Sequence, residues 1–190
     1  MAAVDIVGTS TEILSLMDGR FQDDRQIIVY PSLDDFRRIY SKYTKKHLER
    51  ENDIVVLLPY YETVDNVIAV LQKNGVDVAA FGRQGFLIIR DAYKTYSGFG
   101  EDRELLFKRI LLHAAATGRT GVSIILDMGA FSLITEVQSM AMSYQGILPR
   151  HGPLKVRGFL SYHKDDYARL SQEQKTIRFA GNYKILLVTE

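Results

Sequence analysis

The sequence contains no cysteine among its 190 residues. This absence excludes disulfides, thiolate nucleophiles and thiolate zinc sites, and it fits a protein of the reducing cytoplasm. The four histidines, at positions 47, 113, 151 and 163, lie far apart and show no His-x-x-x-His spacing. We interpret each as structural, and we expect neither a metal nor a cofactor.

Excess charge and long apolar runs are also missing. The formal net charge is +1, so no global field attracts nucleic acid or an acidic membrane surface, and we expect no direct nucleic-acid binding. No stretch reaches the roughly 18 apolar residues of a transmembrane helix. Residues 1–10 carry Asp5 and no basic residue, whereas a signal peptide begins with positive charge. We therefore expect a cytoplasmic protein without a membrane partner.

Glycine-rich phosphate-binding loops are the third absence. The first predicted strand, residues 26–30, leads into the turn Pro31-Ser-Leu-Asp-Asp-Phe36, which has no glycine and no lysine. A P-loop needs both, because its backbone N–H groups and its lysine hold the phosphates. The turn instead presents Asp34 and Asp35, whose charges repel phosphate. With Ser32, Asp35 predicts a capping-box-like helix start.

What the sequence does contain is a regular alternation of apolar runs and amphipathic segments. The runs predict strands at residues 26–30, 53–58, 86–90, 122–127, 155–162 and 183–189. Helix-containing connections of crossover length predict an α/β fold, a three-layer α/β/α sandwich with a mostly parallel sheet of about six strands. An antiparallel last strand is a second possibility, because residues 171–182 are short for a crossover. Gly158 indicates either a weakened strand or a close approach of another backbone.

The run Val122–Asp127 has no polar face and ends in a carboxylate, which predicts a strand covered on both sides. Asp127 would lie at the carboxyl end of that strand, where open α/β sheets bind ligands. Two roles remain open for it: a cap for a helix that begins near Met128, or a magnesium ligand like the acid of a Walker B strand. The missing P-loop favours the cap.

Aromatic and polar residues follow the carboxyl ends of several predicted strands, and together they form the predicted ligand-binding rim. A pocket with an apolar lining and a few polar groups is the usual small-molecule site. The alternative is that these side chains simply pack beneath loops. No nucleophile elbow accompanies Ser132 or Ser161, so no catalytic residue is predicted. The rim residues are Tyr30, Tyr60, Tyr61, Asp91, Tyr93, Tyr96, Asp127, Phe131, Tyr162 and His163.

The order of these segments resembles the DcmR-type sensory domain of methanogens and methylotrophs, the MEDS family. The resemblance runs from about Arg25 to the end, and it implies one MEDS-like domain at residues 25–190 after an N-terminal helix and linker at 1–24. The sequence differs from the family pattern at two places. Family members often carry a histidine just before the first strand, where this chain has Arg25-Gln26, and they commonly carry glutamate at the position of Asp127. The similar strings are residues 27–35, 52–58, 75–78, 85–91, 96–99 and 126–128, followed by a strand that ends near Tyr162.

The resemblance implies a RecA/KaiC-like fold that senses rather than hydrolyses, as found in archaeal and bacterial regulators. We therefore expect a non-catalytic ligand-binding module that acts in signal transduction or transcription regulation through a partner protein. One alternative is a degenerate RecA/KaiC-like nucleotide-binding ATPase that uses Asp127. The other is an oligomeric interaction scaffold, with the N-terminal helix and the C-terminal strand as its candidate contacts.

Overall fold

The structure is a computed structural model that describes residues 5–18, 25–96, 103–129, 154–178 and 183–189. Its strands are β1 (Asp5–Thr9), β2 (Arg25–Tyr30), β3 (Asp53–Leu58), β4 (Leu87–Ile89), β5 (Gly121–Asp127), β6 (Lys155–His163) and β7 (Tyr183–Thr189). Its helices are α1 (Ser10–Asp18), α2 (Leu33–Glu49), α3 (Val64–Lys73), α4 (Val78–Arg83), α5 (Ala92–Tyr96), α6 (Arg103–Ala116), α7 (Lys164–Arg169) and α8 (Gln172–Arg178).

The seven strands form one parallel sheet in the order β1-β7-β2-β6-β5-β3-β4. The predicted α/β class and parallel sheet are confirmed, and the helices are consistent with a three-layer sandwich. The antiparallel alternative for β7 is wrong, because α7 and α8 together supply a crossover after β6. The sheet has one strand more than predicted, β1 at Asp5–Thr9, within the segment predicted as helix and linker.

The most apolar runs form the best-covered strands. Every residue of β3 and of β5 is buried, as expected for parallel strands with both faces covered. The capping-box-like helix start predicted before α2 is present. Ser32 Oγ accepts a hydrogen bond from the Asp35 backbone N–H at 3.2 Å and donates one to the Asp35 carboxylate at 2.6 Å. The polar turn after β2 is therefore used to start a helix.

The chain divides into two compact units, and both α2 and β6 contribute to each of them. The first unit comprises residues 1–39, 128–149 and 159–190, and the second comprises residues 40–127 and 150–158.

In the first unit, β7 lies between β1 and β2. Asp5 is paired with Ile185, and Arg25 is paired with Tyr183. The apolar face of α1 is buried through Ile13, Leu14 and Met17. Both edges of the C-terminal strand are therefore occupied within the unit, and the inner face of the N-terminal helix is covered. The contact that the scaffold alternative assigns to the N-terminal helix and the C-terminal strand stays a prediction.

In the second unit, β3 lies between β5 and β4. Backbone atoms of the β6 start come close to β5, since the Lys155 N–H donates to the Thr120 carbonyl at 3.1 Å. Gly158 has a φ of +137°, and a Cβ placed on it would lie 1.9 Å from the Ile124 carbonyl oxygen. Gly158 therefore marks a close approach of two backbones, one of the two interpretations of its position in the strand.

Candidate functional site

The rim in the second unit is built by the carboxyl ends of β3, β4 and β5. Hydrogen bonds between main-chain atoms hold the first two ends together, because the Arg90 N–H donates to the Leu57 carbonyl and the Ala92 N–H donates to the Pro59 carbonyl. Asp127 closes β5. Its side chain is buried, and its Oδ2 lies 3.4 Å from the Tyr60 backbone nitrogen, which donates to it.

The outer surface of this rim is aromatic. Tyr61 is 43% exposed and Tyr93 is 51% exposed, whereas Tyr60 is half-buried. The rings of Tyr60 and Tyr61 meet edge to face, with centroids 5.0 Å apart. Asp91 begins α5 as a cap, since its Oδ1 accepts the Lys94 N–H at 2.8 Å. The rim therefore offers exposed phenol rings above a backbone fixed by hydrogen bonds.

The first unit holds three predicted rim residues, and two of them belong to the core. Tyr30 is fully buried and stacks on Phe36, with ring centroids 4.5 Å apart. Tyr162 is 1% exposed, and its ring lies 6.1 Å from that of Tyr167. The packing alternative therefore describes these two tyrosines.

His163 is held by contacts at both ring nitrogens. Nε2 lies 3.2 Å from the Pro31 carbonyl oxygen, and Nδ1 lies 3.4 Å from the Asp165 backbone nitrogen at the start of α7. Nε2–H can donate to the Pro31 carbonyl, and Nδ1 accepts the Asp165 N–H. The histidine thus caps a helix and ties the end of β6 to the turn after β2.

Two predicted rim residues cannot be placed in this way. Phe131 lies outside the described residues, as does the helix predicted after Met128, so the capping role of Asp127 stays a prediction. Tyr96 ends α5, and only its backbone is described.

A second polar site, which the sequence did not predict, lies at the opposite ends of the same strands. Asp53 opens β3 and is fully buried. Its Oδ2 accepts hydrogen bonds from Ser123 Oγ at 2.6 Å and from His47 Nδ1 at 2.8 Å, and its Oδ1 accepts one from Thr120 Oγ1 at 3.1 Å. We call these four residues, together with Arg157, the Asp53 cluster.

Arg157, on β6, supplies the buried positive charge. Its side chain is 6% exposed, with Nε 3.4 Å from Asp53 Oδ2 and Nη1 3.5 Å from Glu51 Oε2. Neither nitrogen has hydrogen-bond geometry, so the attraction is between charges. Gly121 keeps the site compact, because a Cβ there would lie 2.9 Å from Asp53 Oδ1 and 2.3 Å from the Lys155 carbonyl oxygen.

These contacts determine the protonation of Asp53. Burial by itself would raise the pKa of this carboxyl, but the hydrogen bonds from His47 and Ser123 and the charges of Arg157 and His47 outweigh it and lower the pKa below the usual value. Asp53 is therefore the buried anion of an ion-pair network at neutral pH.

The Asp53 cluster contains serine, histidine and aspartate, yet its geometry is not that of a catalytic triad. In a triad the imidazole stands between the other two groups and uses a different nitrogen for each. Here one atom, His47 Nδ1, faces both Ser123 Oγ, at 2.8 Å, and Asp53. Ser123 Oγ donates a hydrogen bond directly to the carboxylate of Asp53, and all three side chains are buried. The arrangement is a buried hydrogen-bond and ion-pair network, and its geometry differs from that of an activated nucleophile.

The described residues contain neither a candidate metal site nor a membrane-spanning helix. No group of three or more histidine or acidic side chains stands close enough to hold a metal ion. None of the described helices combines the length and apolar content needed to cross a bilayer. In the comparison with known proteins, no family model matches the chain, and no curated protein matches it either.

Proposed function

We propose that this protein is a non-catalytic sensory or regulatory module that binds a small ligand on the aromatic rim of its second unit. One observation carries the proposal: Tyr61 and Tyr93, two large exposed side chains, follow the carboxyl ends of the adjacent strands β3 and β4. This is the end at which open α/β sheets bind ligands. The resemblance to MEDS sensory domains agrees with this assignment and belongs to the proposal.

The rim has the chemistry of a binding surface rather than that of a reaction centre. Exposed phenol rings provide apolar faces for stacking and hydroxyl groups for hydrogen bonds. The two carboxylates are already engaged, Asp91 with the first turn of α5 and Asp127 with the Tyr60 backbone. Ligand binding by this surface would be reported to a partner protein, which is part of the same proposal.

Thermal-shift screening against metabolites and nucleotides tests this function. We expect at least one compound to raise the melting temperature of the wild-type protein, since a ligand that binds only the folded state stabilises it. In the double variant Tyr61→Ala/Tyr93→Ala the shift should vanish. Leu112→Ala is the matched control, because Leu112 is also exposed, at 61%, but lies on α6.

Two results would remove the proposal. One is a screen in which no compound shifts the melting temperature of the wild-type protein. The other is that every compound found keeps its shift in the double tyrosine variant, which would place all of these ligands elsewhere. The ATPase alternative has its own assay: magnesium-dependent ATP turnover that disappears in Asp127→Ala would support it over the sensory module.

A further inference from the structure

The second unit contains an open groove of about 450 Å³ that includes none of the rim residues. It is bounded by the end of α4, by β4 and by α6. Among the described strands, β4 stands at one end of the sheet order, so the groove follows a sheet edge from Gly85 to Arg90. Its volume is in the range of small-molecule sites.

The described lining of this groove is basic. Arg83, Arg90 and Arg109 contribute to it together with the imidazole of His113, and none of the ten described residues that line it is acidic. The whole chain has a net charge of only +1, so this concentration is local. All three arginines are exposed. Convergent cationic groups in a cleft raise the local concentration of anions.

The floor between these cations is apolar. Leu106 and Ile110 are 5% and 4% exposed on α6, and Ile88 of β4 is half-buried beside them in the groove. A ligand that fits both parts has an anionic head and an apolar body. Inorganic phosphate by itself would leave this floor uncovered.

The wall formed by the loop between α4 and β4 is fixed before any ligand arrives. His113 Nε2 lies 2.9 Å from the Gln84 carbonyl oxygen and can donate to it. Gly85 has a φ of +71°, and a Cβ on it would come within 3.0 Å of the same nitrogen. Below the loop, the Arg119 guanidinium lies 3.5 Å from the centre of the Phe86 ring. Such preorganisation lowers the entropy cost of binding.

We infer that this groove is a binding site for a small organic anion, with a phosphate or carboxylate head held by the arginines and an apolar body on the floor. Guanidinium groups bind such heads with paired hydrogen bonds. The site is independent of the aromatic rim and does not rest on the proposed function. It gives the second unit a way to recognise phosphorylated or carboxylated aromatic or aliphatic compounds.

Titration calorimetry with four probes tests the site: 1-naphthyl phosphate, 1-naphthoate, 1-naphthol and inorganic phosphate. We expect one of the two naphthyl anions to bind at least about tenfold more tightly than naphthol and than phosphate, since a charge-assisted hydrogen bond gives about that factor. Comparison of the two naphthyl anions identifies the preferred head. If naphthol or phosphate binds as well as both of them, the inference is overturned.

The variant Arg83→Gln/Arg109→Gln should bind the preferred anion about tenfold or more weakly than the wild-type protein does. Arg50→Gln, at an exposed arginine directly after α2, should leave the affinity unchanged. A second readout requires no arginine variant: the His113 imidazole resonances, identified by their loss in His113→Gln, should shift when the preferred anion is added to the wild-type protein. Unchanged affinity in the double variant, or unperturbed His113 resonances, would overturn the assignment.

Discussion

Asp53 and Asp127 are buried carboxylates at opposite ends of two neighbouring strands of the second unit. Asp53 receives three side-chain hydrogen bonds, and the charge of Arg157 faces it at 3.4 Å. Asp127 lies beside the Tyr60 backbone N–H at the carboxyl end of β5, and the neighbouring Tyr61 is exposed. The comparison separates two settings of one residue type: Asp53 is the anion of a buried ion-pair network, and Asp127 lies at the end at which open α/β sheets bind ligands.

The largest expected effect comes from removing the charge of Asp53. In Asp53→Asn the side chain keeps its shape, but the buried Arg157 loses its main partner. Breaking a buried ion pair from one side costs about 3–5 kcal/mol. Asp127→Asn keeps an acceptor for the Tyr60 N–H and should cost about 1 kcal/mol. Urea denaturation of both variants measures the difference in the free energy of unfolding. Equal losses of stability would show that the two carboxylates do not differ in this way.

This contrast could not be predicted from the sequence. Asp127 is visible because it ends an apolar run, and its position follows from strand direction. The partners of Asp53 come from α2, β5 and β6, so no local spacing connects them. The available signals were weak: Ser123 is a polar residue within an apolar run, and His47 lies on the apolar stripe of a helix. Each is a common feature of ordinary cores.

Those parts of the fold that follow from hydrophobic periodicity were predictable. Six strand runs and their crossovers gave the parallel sheet. The strand β1 was missed because Asp5-Ile-Val-Gly-Thr9 is short and contains a glycine, and α4 was missed because Gly82 interrupts its helical pattern. The predicted strand ends identified which residues lie near the rim. They did not show whether each side chain points into the core or towards solvent. Tyr30 stacks in the core, whereas Tyr61 points outward, and only tertiary packing decides between these outcomes.

The second expected effect concerns the backbone that brings Arg157 to Asp53. Gly158→Ala places a Cβ against the Ile124 carbonyl oxygen at a φ of +137°, which combines strain with overpacking and should cost about 2–4 kcal/mol. Gly82→Ala is the matched control: its Cβ would meet nothing within 4 Å, and inside α4 it should be neutral or stabilising by up to about 1 kcal/mol. The urea midpoints of the two variants and of the wild type compare their stabilities. A Gly158 variant as stable as the wild type would show that β6 can shift freely.

The third effect is the acid dependence of stability. The pKa of Asp53 is lowered in the folded protein, so the folded state binds this proton less readily than the unfolded chain. Its stabilisation is fully present above the unfolded pKa of about 3.9 and is lost as pH falls through the folded pKa. Urea midpoints between pH 7 and 3 should therefore show that the difference between wild type and Asp53→Asn is constant at neutral pH and shrinks at the acidic end. A difference that grows on acidification would contradict the assignment of Asp53 as the buried anion.

The smallest effect tests whether the hydrogen bonds of the Asp53 cluster matter individually. Ser123 and Ser41 are both buried, at 0% and 1% exposure. Ser123 donates to Asp53 at 2.6 Å, whereas Ser41 Oγ has no hydrogen-bond partner within the described structure. Ser123→Ala should lose about 1–3 kcal/mol, because it removes a hydrogen bond to a charged group. Ser41→Ala should be neutral or stabilising, since it removes an unsatisfied hydroxyl from a helix. Urea denaturation distinguishes the pair. If both substitutions gave the same loss, the cost would reflect packing volume alone, and the hydrogen bonds to Asp53 would not explain how the protein keeps a charged carboxylate in its core.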